Sequence, residues 1–235
     1  MERFPTVLIP SDWSAAVEPI GVHVQPRRGR SEAAFEQELC RYFPGKIHAG
    51  LMVPNPERPQ PYVPDFAYID PATNLHIDIE IDEPYTHDTR LPLHYRDCPK
   101  DELRNQWFLA NGWIVIRLSE AQVIKSPASC CKVIASTIAT LTQDSTIMTA
   151  FRQVPTLKPQ PRWTFDQAQQ MAARGDREQL MPEPIAPGQR KRGNAVPTRR
   201  DRVPLTFFCP ECGEGPIRWQ GHYICCPNCS NAGFA

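Results

Sequence analysis

The segment Leu75–Asp82 reads LHIDIEID. Successive side chains of an extended strand point to opposite faces, so Asp78, Glu80 and Asp82 share one face while Ile77, Ile79 and Ile81 share the other. Three acids along one face repel one another unless a cation or a basic partner lies among them. Hard oxygen ligands converging on a point suit Mg²⁺ or Mn²⁺; a half-exposed strand with an ordinary polar face is the alternative reading. A further acid, Asp65, follows Pro64 at the entrance of the preceding strand, a position where proline is tolerated, and reads otherwise as a turn aspartate. Glu32, with Glu36 one turn later, falls in the first turn of an expected helix, where an acid also simply complements the helix dipole.

A second kind of chemistry sits at the other end of the chain. Cys209-Pro-Glu-Cys212 and Cys226-Pro-Asn-Cys229 are two C-x-x-C knuckles separated by 13 residues. Four thiolates at this spacing make a closed tetrahedral Zn²⁺ site, structural rather than catalytic because no position stays open. Cys225 competes with Cys226, and the C-P-x-C pattern favours Cys226. A module of this size needs zinc to stay folded. Just before it, Arg190, Lys191, Arg192, Arg199, Arg200 and Arg202 form a basic tract interrupted by one acid, Asp201. It reads as a sequence-independent phosphate contact or as a solvated linker. Trp219 and Tyr223 fit base stacking or packing of the small module equally.

The elements that must carry these residues follow from periodicity. Residues 1–30 read as an irregular arm with one or two short strands. Ser31 is a candidate N-cap for a helix stopped by Pro44-Gly45. Strands are expected at 46–53, about 62–69 and 75–82, with turn chemistry at 70–74. A long loop at 83–99, holding His87, His94 and Tyr95, leads to a helix over 100–111. A buried strand at 113–118 and helices at 119–124 and 128–142 follow. The pattern predicts an α+β (α/β sandwich-like) domain with a mixed sheet over 31–150. Residues 151–204 read as a proline-rich, basic linker with one amphipathic helix at about 163–180, and 205–235 as the zinc module.

Charge sharpens the division. The 26 Lys and Arg balance the 26 Asp and Glu, yet residues 1–150 carry 14 basic against 19 acidic side chains and the remainder 12 against 7. The balance excludes a uniformly basic nucleic-acid coat and an acidic disordered tail. No run of about 18 apolar residues exists for a membrane span, and the start lacks a secretory signal, so a cytoplasmic protein is expected. Five of the nine cysteines lie between Cys209 and Cys229, which in that compartment points to metal rather than disulfides; Cys40, Cys98, Cys130 and Cys131 read as buried small residues.

Taken in order, the pieces resemble the PD-(D/E)XK (restriction-endonuclease-like) nuclease superfamily over about residues 31–125. They look most like the branch related to very-short-patch repair endonucleases and their bacterial relatives. The residues that carry this are Glu80-Ile81-Asp82-Glu83-Pro84-Tyr85, His94-Tyr95, Asp101-Glu102-Leu103-Arg104 and Gly112-Trp113-Ile114-Val115-Ile116-Arg117-Leu118. The resemblance implies an αβββαβ core and a metal-dependent DNA endonuclease in restriction, phage defence or DNA processing. Asp65 and Glu80 would bind the catalytic Mg²⁺ or Mn²⁺, with Glu32 assisting. Asp82 stands where the superfamily has a lysine; His94, His87, Lys100 and Lys46 are the candidates to replace it, and Arg104 and Arg117 are expected to pair with the acids. The implied partner is DNA, with RNA, a homodimer and partner proteins reached through the zinc ribbon left open. The alternatives are a nuclease-fold subunit that has lost catalysis and binds DNA or joins a larger complex, and a zinc-ribbon adaptor.

Overall fold

The computed structural model describes residues 2–23, 31–55 and 59–180, and beyond them three short strands. The chain divides into two compact units, Met1–Glu183 and Pro184–Ala235.

In the first unit, the arm gives β1 (Arg3–Phe4), β2 (Thr6–Leu8) and β3 (Gly21–Val22), followed by α1 (Glu32–Tyr42), β4 (Ile47–His48), β5 (Leu51–Met52), β6 (Phe66–Asp70) and β7 (Leu75–Asp82). Next come α2 (Pro99–Ala110), β8 (Ile114–Ser119), α3 (Glu120–Lys125), α4 (Pro127–Thr142), a 3₁₀ turn at Thr146–Phe151, β9 (Gln160–Pro161), α5 (Phe165–Arg174) and α6 (Asp176–Leu180). The result is mixed α+β around a five-stranded sheet ordered β2-β8-β7-β6-β4, in which only β7 and β8 run parallel.

The isoleucines of β7 and β8 pack with Phe35 and Leu39 of α1 and Ile134 and Ile138 of α4. On the other face Val115, Ala67 and Trp113 pack with Phe108 of α2. Because helices cover both faces, every residue of β7 is buried, which removes the half-exposed strand as a reading of LHIDIEID. The acidic face of the strand is therefore an interior surface, and its charges must find partners inside the protein.

Several expected elements differ from the observed ones. The strand expected at 46–53 is two strands: β4 joins the main sheet, while β5 pairs with β3. Gly50, at φ +72°, turns the chain between them. Ser31 holds the N-cap position of α1, but its hydroxyl makes no capping hydrogen bond. The single helix expected at 163–180 breaks at Gly175, whose φ of +70° closes α5 in the left-handed conformation. Both the arm and the segment after residue 150 are built into the first unit, because β1 pairs antiparallel with β9 and Phe4 packs on Trp163.

The second unit contains an antiparallel sheet of β10 (Arg218–Gln220), β11 (Tyr223–Cys225) and β12 (Ala232–Phe234). Cys209, Cys212, Cys226 and Cys229, and the basic residues Arg190, Lys191, Arg192, Arg199, Arg200 and Arg202, lie outside the described residues. Among the described residues no helix is long and apolar enough to cross a membrane.

The turn entering β8 is tightly constrained. Gly112 has φ +78°, and a Cβ there would come within 2.9 Å of the Ala16 backbone. Gly112→Ala combines left-handed strain with a backbone clash and is expected to cost about 2 kcal/mol or more in urea denaturation. An unchanged midpoint would refute this account of the turn.

Candidate active site

The polar face of β7 meets two arginines delivered by neighbouring elements. On α2, Asp101, Arg104, Asn105 and Phe108 recur at helical spacing and so look at the sheet together; Asp101, Asn105 and Phe108 are buried. Arg104 donates to Glu80 at 2.6 Å and to Asp78 at 3.3 Å, with its guanidinium over the rings of Phe108 and Tyr62. Arg117 projects from β8 and grips Asp82 with two bonds of 3.0 and 2.6 Å, both side chains being fully buried. A third donation from Arg117 reaches Asn105 Oδ1 at 3.1 Å, and Asp101 lies 3.3 Å away. Burial works against both guanidinium charges, but the surrounding carboxylates more than compensate and hold both arginines protonated.

The acids divide accordingly. Asp78 is pushed well above the ordinary carboxylate range by burial and then by the charge of Glu80. Glu80 is also desolvated, yet Arg104 and then Arg117 bring it below its ordinary value. Asp82 is committed to Arg117.

Asp65 joins this surface from the entrance of β6. Its Oδ2 accepts from the Ile81 N–H at 2.7 Å, and its own N–H approaches Glu80 Oε1 at 3.4 Å. These reciprocal backbone contacts clamp the Pro64-Asp65 corner against the middle of β7. Burial first, and then Glu80, push the Asp65 carboxyl well up, with Glu32 and Glu83 adding to the effect. Glu32 is buried in the first turn of α1. The fold thus brings Glu32 and Glu80 within electrostatic reach of Asp65.

His94 completes the surface from the loop between β7 and α2. Its backbone is left-handed at φ +50°, a conformation that costs a non-glycine residue and persists only where its surroundings enforce it. Nδ1 lies 3.0 Å from Asp101, 3.1 Å from Arg117 and 3.8 Å from Asp82, while Nε2 faces Glu83 at 3.9 Å. Burial favours the neutral ring, but Asp82 and Asp101 outweigh it and raise the basicity of His94. The other candidates for the lysine's role are elsewhere. Lys46 pairs with Asp70 at 2.8 Å, at the opposite end of β6 and roughly 17 Å along the strand from Asp65. His87 and Lys100 are exposed, and Glu36 is half-buried on α1.

Two participants carry no advance signal of their role. Glu83 follows the acidic strand directly and is pushed up to about 7 by burial, against the pull of Arg177 and His94. Arg177, on α6, is buried and forms a fork to Glu120 with bonds of 2.6 and 2.7 Å. It also donates to the Tyr85 carbonyl at 2.7 Å and to Glu83 at 3.4 Å. The position of Glu83 beside Asp82 was visible in the sequence as one more acid; nothing near Arg177 announces its partners.

Among the described residues, no group of three or more His, Cys, Asp and Glu side chains is arranged as a ready metal site. The fit to a cation rests on Asp65 and Glu80, two desolvated carboxylates whose charges repel, with Asp65 only half-buried. A divalent ion would relieve that repulsion with oxygen ligands of the type Mg²⁺ and Mn²⁺ prefer. No family model, no curated protein and no solved structure matches the chain.

Arg117→Met leaves Asp82 buried without its partner, and breaking a buried pair from one side costs about 3–5 kcal/mol. Urea denaturation should register that loss, with Asp82→Asn added on the same chain restoring part of it; full stability in the single variant would remove the pair from its central place. Glu83 supplies a test in pH. Its folded-state value of about 7 exceeds the ordinary 4.5, so the folded chain holds the extra proton between those values and stability falls as pH rises through that window. Glu83→Gln should match wild type near pH 4 and exceed it by about 2 kcal/mol at pH 8; equal stability at both pH values would contradict the shift.

Proposed function

We propose that the first unit is a Mg²⁺- or Mn²⁺-dependent nuclease that hydrolyses phosphodiester bonds in DNA, with a PD-(D/E)XK-like core made of α1, β4 to β7, α2 and β8. The observation that carries this reading is the clamp between Asp65 and β7. An acid after proline at one strand entrance and an acid in the middle of the next strand share reciprocal backbone contacts. Ordinary packing gives little reason to hold two desolvated carboxylates this close, whereas cation-assisted hydrolysis requires it.

Asp65 and Glu80 would hold the cation, which supplies a more acidic bound water and shields charge on the phosphate. Glu32 adds negative potential from α1. His94, made more basic by Asp82 and Asp101, takes the part of the absent lysine as the cationic or proton-carrying side chain next to the acids. Arg104 and Arg117 orient Glu80 and Asp82, and their charges lower the pKa of Glu80. The basic residues from Arg190 to Arg202 contribute phosphate contacts, and Cys209, Cys212, Cys226 and Cys229 bind structural Zn²⁺ in a ribbon that also offers a protein-docking surface. The setting we infer is restriction, antiviral defence or another DNA-processing reaction in the cytoplasm, with RNA as a further candidate substrate.

One observation favours a second reading, a nuclease-fold subunit that binds nucleic acid without cutting it. Glu80 already has a counterion in Arg104 at 2.6 Å, which competes with a metal. Plasmid incubated with purified protein and Mg²⁺ or Mn²⁺ separates the two. The nuclease reading expects cleavage that falls by about 10²–10³ or more in Asp65→Ala and in Glu80→Ala. Cleavage that survives both substitutions would relocate the site, and no cleavage with retained DNA binding would leave the subunit reading.

A further inference from the structure

We propose that Arg177 is a positioning residue for the acidic site, acting through Glu83: α6 holds the Glu83 carboxylate beside His94, so the segment after residue 160 is part of the working site. The inference rests on the nuclease reading of that site.

The geometry is specific. Arg177 spends its fork on Glu120, at the start of α3, and a further donation on the Tyr85 carbonyl. The Arg177 N–H is bonded to the Tyr85 hydroxyl at 2.8 Å, and the same hydroxyl donates to Glu178 at 2.8 Å. Arg90, from the loop, donates to Glu178 and to the Ala172 carbonyl. The loop leaving β7 is therefore fastened to α5 and α6 at several points, and Glu83 lies inside that frame. One of its oxygens is 3.4 Å from Arg177, and the other is 3.9 Å from His94 Nε2. The second contact lies on Nε2, the ring nitrogen other than the one that faces Asp101.

Glu83 is desolvated, and Arg177 at 3.4 Å compensates its burial only in part, which makes it a cost to stability. Such groups concentrate where chemistry needs them. Around His94 the charged neighbours are Asp82 from β7, Glu83 from the loop, Asp101 from α2 and Arg117 from β8. Asp82 and Asp101 are both taken up by Arg117. That leaves Glu83 as the neighbour whose orientation depends on a different element, α6. Moving it would change the field at Nε2, and Glu83 also acts on Asp65 and is itself acted on by Glu32.

The test is a double-mutant cycle on the full-length chain: wild type, Glu83→Gln, Arg177→Lys and the double variant. Arg177→Lys keeps the charge and loses the fork. Plasmid cleavage with Mn²⁺ and the NMR titration of the His94 ring are both read. Each single variant is expected to lose about 100-fold in kcat with KM little changed, the double variant to lose no more than Glu83→Gln alone, and the His94 midpoint to move down in both singles. Losses that multiply in the double variant, or a His94 midpoint unmoved by Arg177→Lys in a folded chain, would overturn the proposal. Should Arg177→Lys fail to fold, Glu120→Gln weakens the same anchor while leaving Arg177 in place, and the same displacement of His94 is expected. If wild type cuts no substrate, the nuclease reading falls, and the His94 titration alone still decides whether Arg177 sets Glu83.

Discussion

Three carboxylates on a strand with helices over both of its faces impose a condition that the rest of the first unit answers. Water does not reach Asp78 or Asp82 and barely touches Glu80, and each isolated ion would face a desolvation penalty of several kcal/mol. The arginines of α2 and β8 meet that condition. Arg117 is the more exacting of the two, being as fully buried as the Asp82 it binds, and its register on β8 follows from the parallel pairing with β7. Replacing the central pair with apolar residues of similar volume is often neutral or stabilising in other proteins. What this pair adds is position, because Arg117 also touches Asn105 and Asp101 of α2 and His94 of the loop and so ties three elements together.

The same arrangement explains why so much of the fold was legible. Strict alternation in LHIDIEID survives because the two faces of the strand have different neighbours, isoleucines against α1 and α4 and acids against α2. The D-x-x-R spacing puts Asp101 and Arg104 on one helical face, and Gly112 ahead of an apolar run marks the entry to β8. Among the candidate residues, Glu32, Asp65 and Glu80 come together, and Asp82 and His94 lie next to one another. What alternation cannot supply is the number of covered faces. The acids left open a half-exposed face as the alternative to a cation site, and the helix over them was not foreseeable from the strand alone.

Other features were illegible for reasons of distance. Arg177 and Glu83 are 94 residues apart, and no local pattern on either side encodes the meeting. The helix at 163–180 looked continuous because its polar and apolar residues keep helical spacing through Gly175; only the left-handed backbone there shows the break. The arm looked irregular because its strands are two or three residues long and gain their order from β8, β5 and β9 rather than from their own propensity.

That dependence of early residues on late ones has a kinetic meaning. Thr6–Leu8 pair with Val115–Arg117, and Arg3–Phe4 pair with Gln160–Pro161. Neither pairing forms until the intervening chain is present, and closing loops of this length slows folding. During synthesis β2 must wait unpaired for the edge of β8, made long after it, while α6 is the last element of the first unit to emerge and fastens the loop that carries Glu83. The acids are in place before the brace that orders them, so a ribosome-bound chain short of residue 177 holds an assembled sheet and an unfinished site.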